Sequence, residues 1–180
     1  MKKISILVIT TLLISSCSSS TQESSLGFVP SCDQINLLDI ADKSTLMPCL
    51  DGVGSINFHQ LRGPMVINVW GSWCEGCKEE MPYFVDLYKA HAFKSGQIQL
   101  LGVNVEENSK EDAVEYIKKS GMSWPHLEDL GGLSKSIFGP GVPVTWFINE
   151  DSKNVGTKIG AYTNKKQLFE QVENAFGIKL

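Results

Sequence analysis

The chain has 180 residues, 42% of them hydrophobic, with 16 Lys and Arg against 20 Asp and Glu for a formal charge of −4. That length and apolar content support one domain with a sizeable core, and the mildly acidic balance argues against nucleic-acid binding, which calls for a basic face. Five cysteines in so short a chain make sulfur chemistry the first question.

The first sixteen residues read as an export signal rather than as fold. Lys2 and Lys3 precede the apolar run 4–14, which is shorter than the ~20 residues a spanning helix needs, and small residues follow at Ser15 and Ser16. Ile14-Ser15-Ser16-Cys17 resembles a bacterial lipoprotein box, in which cleavage leaves Cys17 as the new N-terminus with a lipid on its sulfur. The plain alternative is an ordinary signal peptide with Cys17 incidental. Residues 17–29 are serine-rich, hold too little apolar surface to order themselves, and read as a tether. Residues 30–180 then form the domain, and loss of the two lysines in 1–16 takes the charge to about −6. A lipid-anchored domain on the outer face of the cell membrane, or in a periplasm, occupies an oxidising compartment where disulfides persist.

Past the tether, 35–40 and 54–58 read as short strands, with Asp51-Gly52 marking a turn. Residues 65–70 are apolar on both faces, as a buried parallel strand should be, and Gly71-Ser72 breaks the run. From 74 to about 93 the period changes: Met81, Phe84, Val85, Tyr88 and Ala92 recur at helical spacing. Pro82 inside this helix leaves the Lys78 carbonyl without its donor and predicts a kink. Residues 98–105 form a second two-faced strand. Ser109 with Asp112 predicts a capped helix start and Gly121 its end, with Ala113, Val114 and Ile117 facing inward. A short helix over 133–138, a strand over 143–148 and its hairpin partner over 154–160 follow. The last helix, 165–176, puts Leu168, Phe169, Val172, Ala175 and Phe176 on one stripe. This order predicts a mixed sheet between helices.

With Cys17 set aside, four cysteines remain, which allow three pairings. Cys74 and Cys77, in Trp73-Cys74-Glu75-Gly76-Cys77, stand where strand hands over to helix. At a helix N-terminus, unpaired N–H groups and the dipole favour a thiolate on the first sulfur. The second lies one turn on and can attack a mixed disulfide formed by the first. The pair reads as a reversible dithiol whose only redox group is its own disulfide, with no metal. Cys32 and Cys49 then form a structural bridge; the alternative makes one of them a resolving thiol for Cys74.

Three stretches carry a family resemblance. They are Val69-Trp70-Gly71-Ser72-Trp73-Cys74-Glu75-Gly76-Cys77-Lys78-Glu79-Glu80-Met81-Pro82, Leu101-Gly102-Val103-Asn104-Val105 and Gly141-Val142-Pro143-Val144-Thr145. In this order and spacing they resemble the thioredoxin fold, in its membrane-tethered TlpA/ResA-like branch, over about 63–176. The resemblance implies an α/β fold: a thioredoxin-like three-layer α/β/α sandwich with a mixed central sheet, 98–105 as the next parallel strand, an inserted helical segment at 108–121, and an N-terminal β-hairpin extension at 32–49. It implies that Cys74 is the nucleophile and Cys77 the resolving thiol. It also implies that Pro143, after Val142, is a cis-proline lying against the disulfide, where it offers backbone groups to a substrate chain. Trp73 and Trp70 correspond to aromatic residues beside the dithiol, Trp70 more as core. An acidic residue at Glu80 falls on the helix face of Cys77, about one turn away. A partly buried carboxylate there could relay the Cys77 proton; the plain alternative is a solvated glutamate like Glu79. Asn68 stands where cytosolic thioredoxins carry a buried aspartate, and Gly76 where a proline is common. Glu75 works against the pull of the helix end on Cys74, so the redox potential stays open.

The activity so implied is that of an enzyme, a thiol–disulfide oxidoreductase acting on protein thiols and disulfides outside the cytoplasmic membrane. It leans towards a monomeric reductase, such as one that keeps apocytochrome thiols reduced in c-type cytochrome maturation, supplied by a membrane electron-donor thiol protein. Three rivals remain. One is a disulfide-forming oxidant. Another is a copper chaperone using Cys74 and Cys77 as soft ligands, although His59, His91 and His126 are scattered and His126 falls in an expected loop. A thiol peroxidase is disfavoured by the second cysteine two residues on, and a structural zinc site lacks four ligands.

Overall fold

The computed structural model describes residues 28–40 and 44–180. Cys17, the export signal and all but the end of the tether lie outside the described residues. The centre of the molecule is β3 (Met65–Trp70), whose six residues are all buried. It pairs in parallel with β4 (Gln99–Val105) and antiparallel with β6 (Val144–Ile148). β5 (His126–Asp129) extends the sheet in parallel beyond β4, and β7 (Asn154–Ile159) extends it antiparallel beyond β6, giving the order β5-β4-β3-β6-β7. Alternate β3 side chains serve two cores. Val66 and Trp70 meet α1 (Glu75–Leu87), α3 (Lys110–Ser120) and α5 (Lys165–Phe176) on one face. Met65, Ile67 and Val69 meet α4 (Leu133–Phe138) and the N-terminal segment on the other. The result is the mixed, three-layer architecture expected.

Local chemistry sets most boundaries. Ser109 Oγ accepts from Asp112 N–H at 3.2 Å to open α3, and Gly121 closes it at φ 74°. Asn164 opens α5 in the same way, and Leu168 and Val172 on its inner stripe are fully buried. The Asp129 carboxylate accepts from Leu133 and Ser134 N–H at 2.9 and 2.8 Å and starts α4.

Three expectations need correction. The hairpin is made by β1 (Leu46–Pro48) and β2 (Ser55–Asn57), turning at Asp51-Gly52, and 35–40 is not a strand. After a 3-10 turn at Cys32–Gln34, that segment makes one bridge, Leu37 to Leu61. Leu37 and Ile40 face solvent, so no continuous ladder has a buried face to support it. The long helix stops at Leu87, and α2 (His91–Lys94) restarts it. Lys89 N–H and Ala90 N–H bond three residues back, to Asp86 and Leu87, which tightens and ends the helix while Ala92 and Phe93 continue the buried stripe. Pro82 lies inside α1, where the sequence places it. Finally, His126 opens β5 and is wholly buried, packed over Gly102, where an added Cβ would sit 1.9 Å from His126 Nδ1. Among the described residues no helix is long and apolar enough to cross a membrane.

Candidate active site

β3 ends at Trp70 and the chain turns at once. Cys74 N–H donates to Gly71 O at 3.1 Å, closing a four-residue turn. The Trp73 ring folds back over Gly71, where any Cβ would collide with it at 2.6 Å, and its Nε1 donates to Val105 O at 3.2 Å. Cys74 is the N-cap of α1, and its Sγ accepts from Cys77 N–H at 3.1 Å. Cys74 and Cys77 are joined as a disulfide. Cys74 keeps 5% of its surface exposed and Cys77 none, so an incoming sulfur can reach only Cys74. Trp73 beside it is 47% exposed.

Gly76 lies against Pro143: a Cβ there would be 3.5 Å from Pro143 Cδ and 3.5 Å from Ala161 Cβ. The Val142–Pro143 peptide is cis, and so is Gly63–Pro64, which no motif signals. Glu75 is exposed and pairs with Lys78 at 3.3 Å, while Glu79 faces solvent.

Glu80 is the surprise in burial. It is 0% exposed. Oε1 accepts from Asn68 Nδ2 at 3.1 Å and Oε2 from Tyr162 N–H at 2.9 Å. Burial pushes its carboxyl up to about 7, against the lowering pull of Tyr162 N–H, the Asn68 amide and the Lys158 ammonium. The Tyr162 phenol is raised by its own burial and by the Glu80 charge, and its O–H donates to Gln171 Oε1 at 2.7 Å. Trp70 lies under the site in the core; its Nε1 donates to His126 Nδ1 at 3.3 Å. Burial pushes His126 down to about 3, so the ring stays neutral.

The structure therefore gathers Cys74, Cys77, Glu80, Trp73, Val142 and Pro143 around the start of α1, and it keeps Cys32 and Cys49 apart from them. Those two are bonded to each other in the core on the opposite face of the sheet, so neither is placed to resolve a mixed disulfide on Cys74. Among the described residues, one group of three His, Cys, Asp or Glu ligand atoms falls within metal-binding distance: Cys32, Cys49 and Asp51. Both its sulfurs are spent in the bridge, and no histidine joins the Cys74–Cys77 pair.

Sequence reasoning missed two contributors. Tyr162 acts through its backbone N–H, which leaves no residue-type signal. Glu107 accepts from Ser72 N–H and Oγ–H, both at 2.6 Å. In sequence, Glu106-Glu107 after a strand looks like an ordinary solvated pair.

Comparison with known proteins places this geometry. The model of the AhpC/TSA family matches residues 40–154. The thiol-disulfide oxidoreductase ResA of Bacillus subtilis (strain 168) is 34% identical over 110 residues, 60% of each chain. The sporulation thiol-disulfide oxidoreductase A of the same strain is 32% identical over 111 residues, 60% of this chain and 66% of its own. The chain thus spans less than two thirds of the length of these relatives. Among solved structures, StoA from Bacillus subtilis superposes with a TM-score of 0.57 at 29% identity, over 68% of this chain and 91% of its own. A secreted Mycobacterium tuberculosis disulfide oxidoreductase gives 0.61 at 18% identity, over 72% and 94%, a likeness of fold alone.

Proposed function

The chain belongs to the AhpC/TSA family of thioredoxin-like proteins, and from that premise we propose that it is a thiol–disulfide oxidoreductase working through Cys74 and Cys77. The observation that carries this reading is the asymmetry of the pair: Cys74 caps a helix N-terminus with residual exposure, and Cys77 is sealed behind it. In the reducing direction the Cys74 thiolate attacks one sulfur of a substrate disulfide. That bond breaks, a mixed disulfide forms, and the first substrate thiolate leaves and takes a proton. Glu80 then accepts the Cys77 proton, Cys77 attacks Cys74 Sγ, and the second substrate thiolate departs. Two electrons have passed to the substrate, and a thiol donor must return them. A carboxyl near 7 can both take and give that proton at neutral pH. The exposed Trp73 and the Val142–Pro143 edge flank Cys74 as the substrate-facing surface.

Within this class the substrates of our reading are protein disulfides outside the cytoplasm, with apocytochrome thiols in c-type cytochrome maturation as the specific case; it rests on the sequence motifs and on the export reading of 1–17. Export through 1–16, lipid on Cys17 and a tether over 17–29 complete that picture, and the Cys32–Cys49 bridge acts as a staple. A copper-holding role has less support, because no histidine stands with the two sulfurs. The peroxidase alternative is disfavoured by Cys77 in bond with Cys74. The decisive experiment is Cys77→Ser, which should trap mixed disulfides that mass spectrometry can identify, with Cys74→Ser trapping none. Adducts on Cys74→Ser would overturn the assignment of the nucleophile. A redox titration of the pair gives the direction: a potential near −120 mV marks an oxidant rather than a reductase.

A further inference from the structure

The turn that delivers Cys74 is held from outside by a carboxylate. Ser72 is the second residue of the turn 71–74, whose internal bond uses Gly71 O and Cys74 N–H. Ser72 N–H takes no part in that bond and donates instead to Glu107 Oε1 at 2.6 Å. Ser72 Oγ–H donates to Glu107 Oε2 at 2.6 Å. Asn104 Nδ2, from β4, donates to Glu107 Oε1 at 2.7 Å and fixes the carboxylate in turn. Hydrogen bonds to an ionised acceptor are short and of the stronger kind. The neighbouring Glu106 pairs with Lys135, whereas Glu107 directs both oxygens at the turn and at the strand beside it.

We propose that Glu107 is a positioning residue for Cys74: its carboxylate clamps the turn 71–74 to the end of β4 and so fixes the nucleophilic sulfur against the first turn of α1. The inference rests on the thiol-exchange reading above, since only a reactive Cys74 needs its direction fixed. Without the clamp the turn keeps one further tie to β4, Trp73 Nε1 to Val105 O. Cys74 Sγ then loses its fixed approach to Cys77 N–H, the contact that favours the thiolate.

Two substitutions separate geometry from charge. In E107Q the amide oxygen can accept from Ser72 N–H and Asn104 Nδ2, and the amide nitrogen can donate to Ser72 Oγ, so all three bonds survive without the charge. E107D keeps the charge and loses the reach by one methylene. The measurements use the full chain: alkylation of reduced Cys74 by iodoacetamide against pH in a Cys77→Ser background, with the label located by mass mapping, and kcat and KM for insulin reduction. Thermal midpoints are recorded alongside. The clamp predicts that E107A and E107D shift the alkylation midpoint upward by about one pH unit and lower kcat/KM roughly tenfold, while E107Q stays close to wild type. If E107D matches wild type and E107Q fails, the effect is charge and the proposal falls. It also falls if all variants keep wild-type alkylation and kinetics, whatever their thermal midpoints. If E107A does not fold, the E107Q and E107D pair decides. If the wild-type chain fails to reduce insulin while the alkylation profiles still separate E107D from E107Q, the exchange reading fails and the positioning role stands.

Discussion

Replacing Glu80 by Gln tests the buried carboxyl directly. Glu80 is fully enclosed, held by Asn68 Nδ2 and Tyr162 N–H, and its pKa is raised from 4.5 to about 7. The unfolded chain releases that proton near 4.5, so between 4.5 and about 7 the folded state binds more protons than the unfolded one. The contribution to stability is therefore whole below pH 4.5 and is lost as pH rises through about 7, by about 3 kcal/mol at 1.36 kcal/mol per unit. Gln fits the same space without charge. Its oxygen can keep Tyr162 N–H, and a half-turn of the Asn68 amide would offer Oδ1, which has no donor at present, to the new Nε2. E80Q should match wild type near pH 4 and exceed it by about 3 kcal/mol at pH 8.

The wild-type curve alone would hide this ramp. His126 is pushed from 6.5 down to about 3, so its contribution is present above 6.5 and is lost as pH falls towards 3, by about 5 kcal/mol in all. Between 4.5 and 6.5 the two slopes oppose each other. The assay is accordingly the difference between E80Q and wild type in urea melts from pH 4 to 8, with both disulfides closed. A difference that stays constant across that range would refute a raised Glu80 pKa. In exchange assays the same variant should lose the pH limb near 7 and about 100-fold or more in the resolving step, the usual scale for removing a positioned base.

Replacing both Cys32 and Cys49 by Ala should lower stability in urea by roughly 3 kcal/mol, from the 17-residue separation it leaves unclosed. Insulin reduction should persist, since the bridge lies across the sheet from Cys74; its loss in a folded variant would contradict that separation. Gly102→Ala should destabilise by about 1–3 kcal/mol, because its Cβ would stand 1.9 Å from His126 Nδ1 and 2.9 Å from Trp70 Nε1. An unchanged melt would show that His126 does not pack there.

What the sequence reveals depends on how local the cause is. α3 is legible because its cap and stop, Ser109 and Gly121, directly flank the element. β3 and β4 are legible because a strand covered on both faces must be apolar throughout. β5 is not: its four residues, which follow Pro125 and begin at His126, carry no strand pattern, and only pairing with β4 makes them one. The break at 88–90 contains neither Gly nor Pro, and the apolar stripe runs through it unchanged. In the site, the Cys74–Cys77 spacing is local and announces itself. The burial of Glu80 is not local, since it depends on a backbone N–H from Tyr162, 82 positions away. Glu107 is hidden for the same reason: its partner Ser72 lies 35 positions earlier.

Asn68 explains why the titrating group sits on the helix and not on the sheet. It lies in the middle of β3 between Gly102 and Thr145, wholly buried, with its amide donating to Glu80 at 3.1 Å. A carboxylate in its place would face Glu80 across that short distance, and two such charges cannot both be ionised there. One would keep its proton far above neutrality, or the two would share a single proton. The neutral amide avoids that conflict. It steadies the Glu80 carboxylate with a donor while leaving Glu80 the acid that titrates beside Asn68. Burial then raises the carboxyl, and the Tyr162 N–H, the Asn68 amide and Lys158 pull it back down. The proposed proton acceptor is thereby carried on α1, one turn after Cys77, on the same rigid element as the sulfur it would serve.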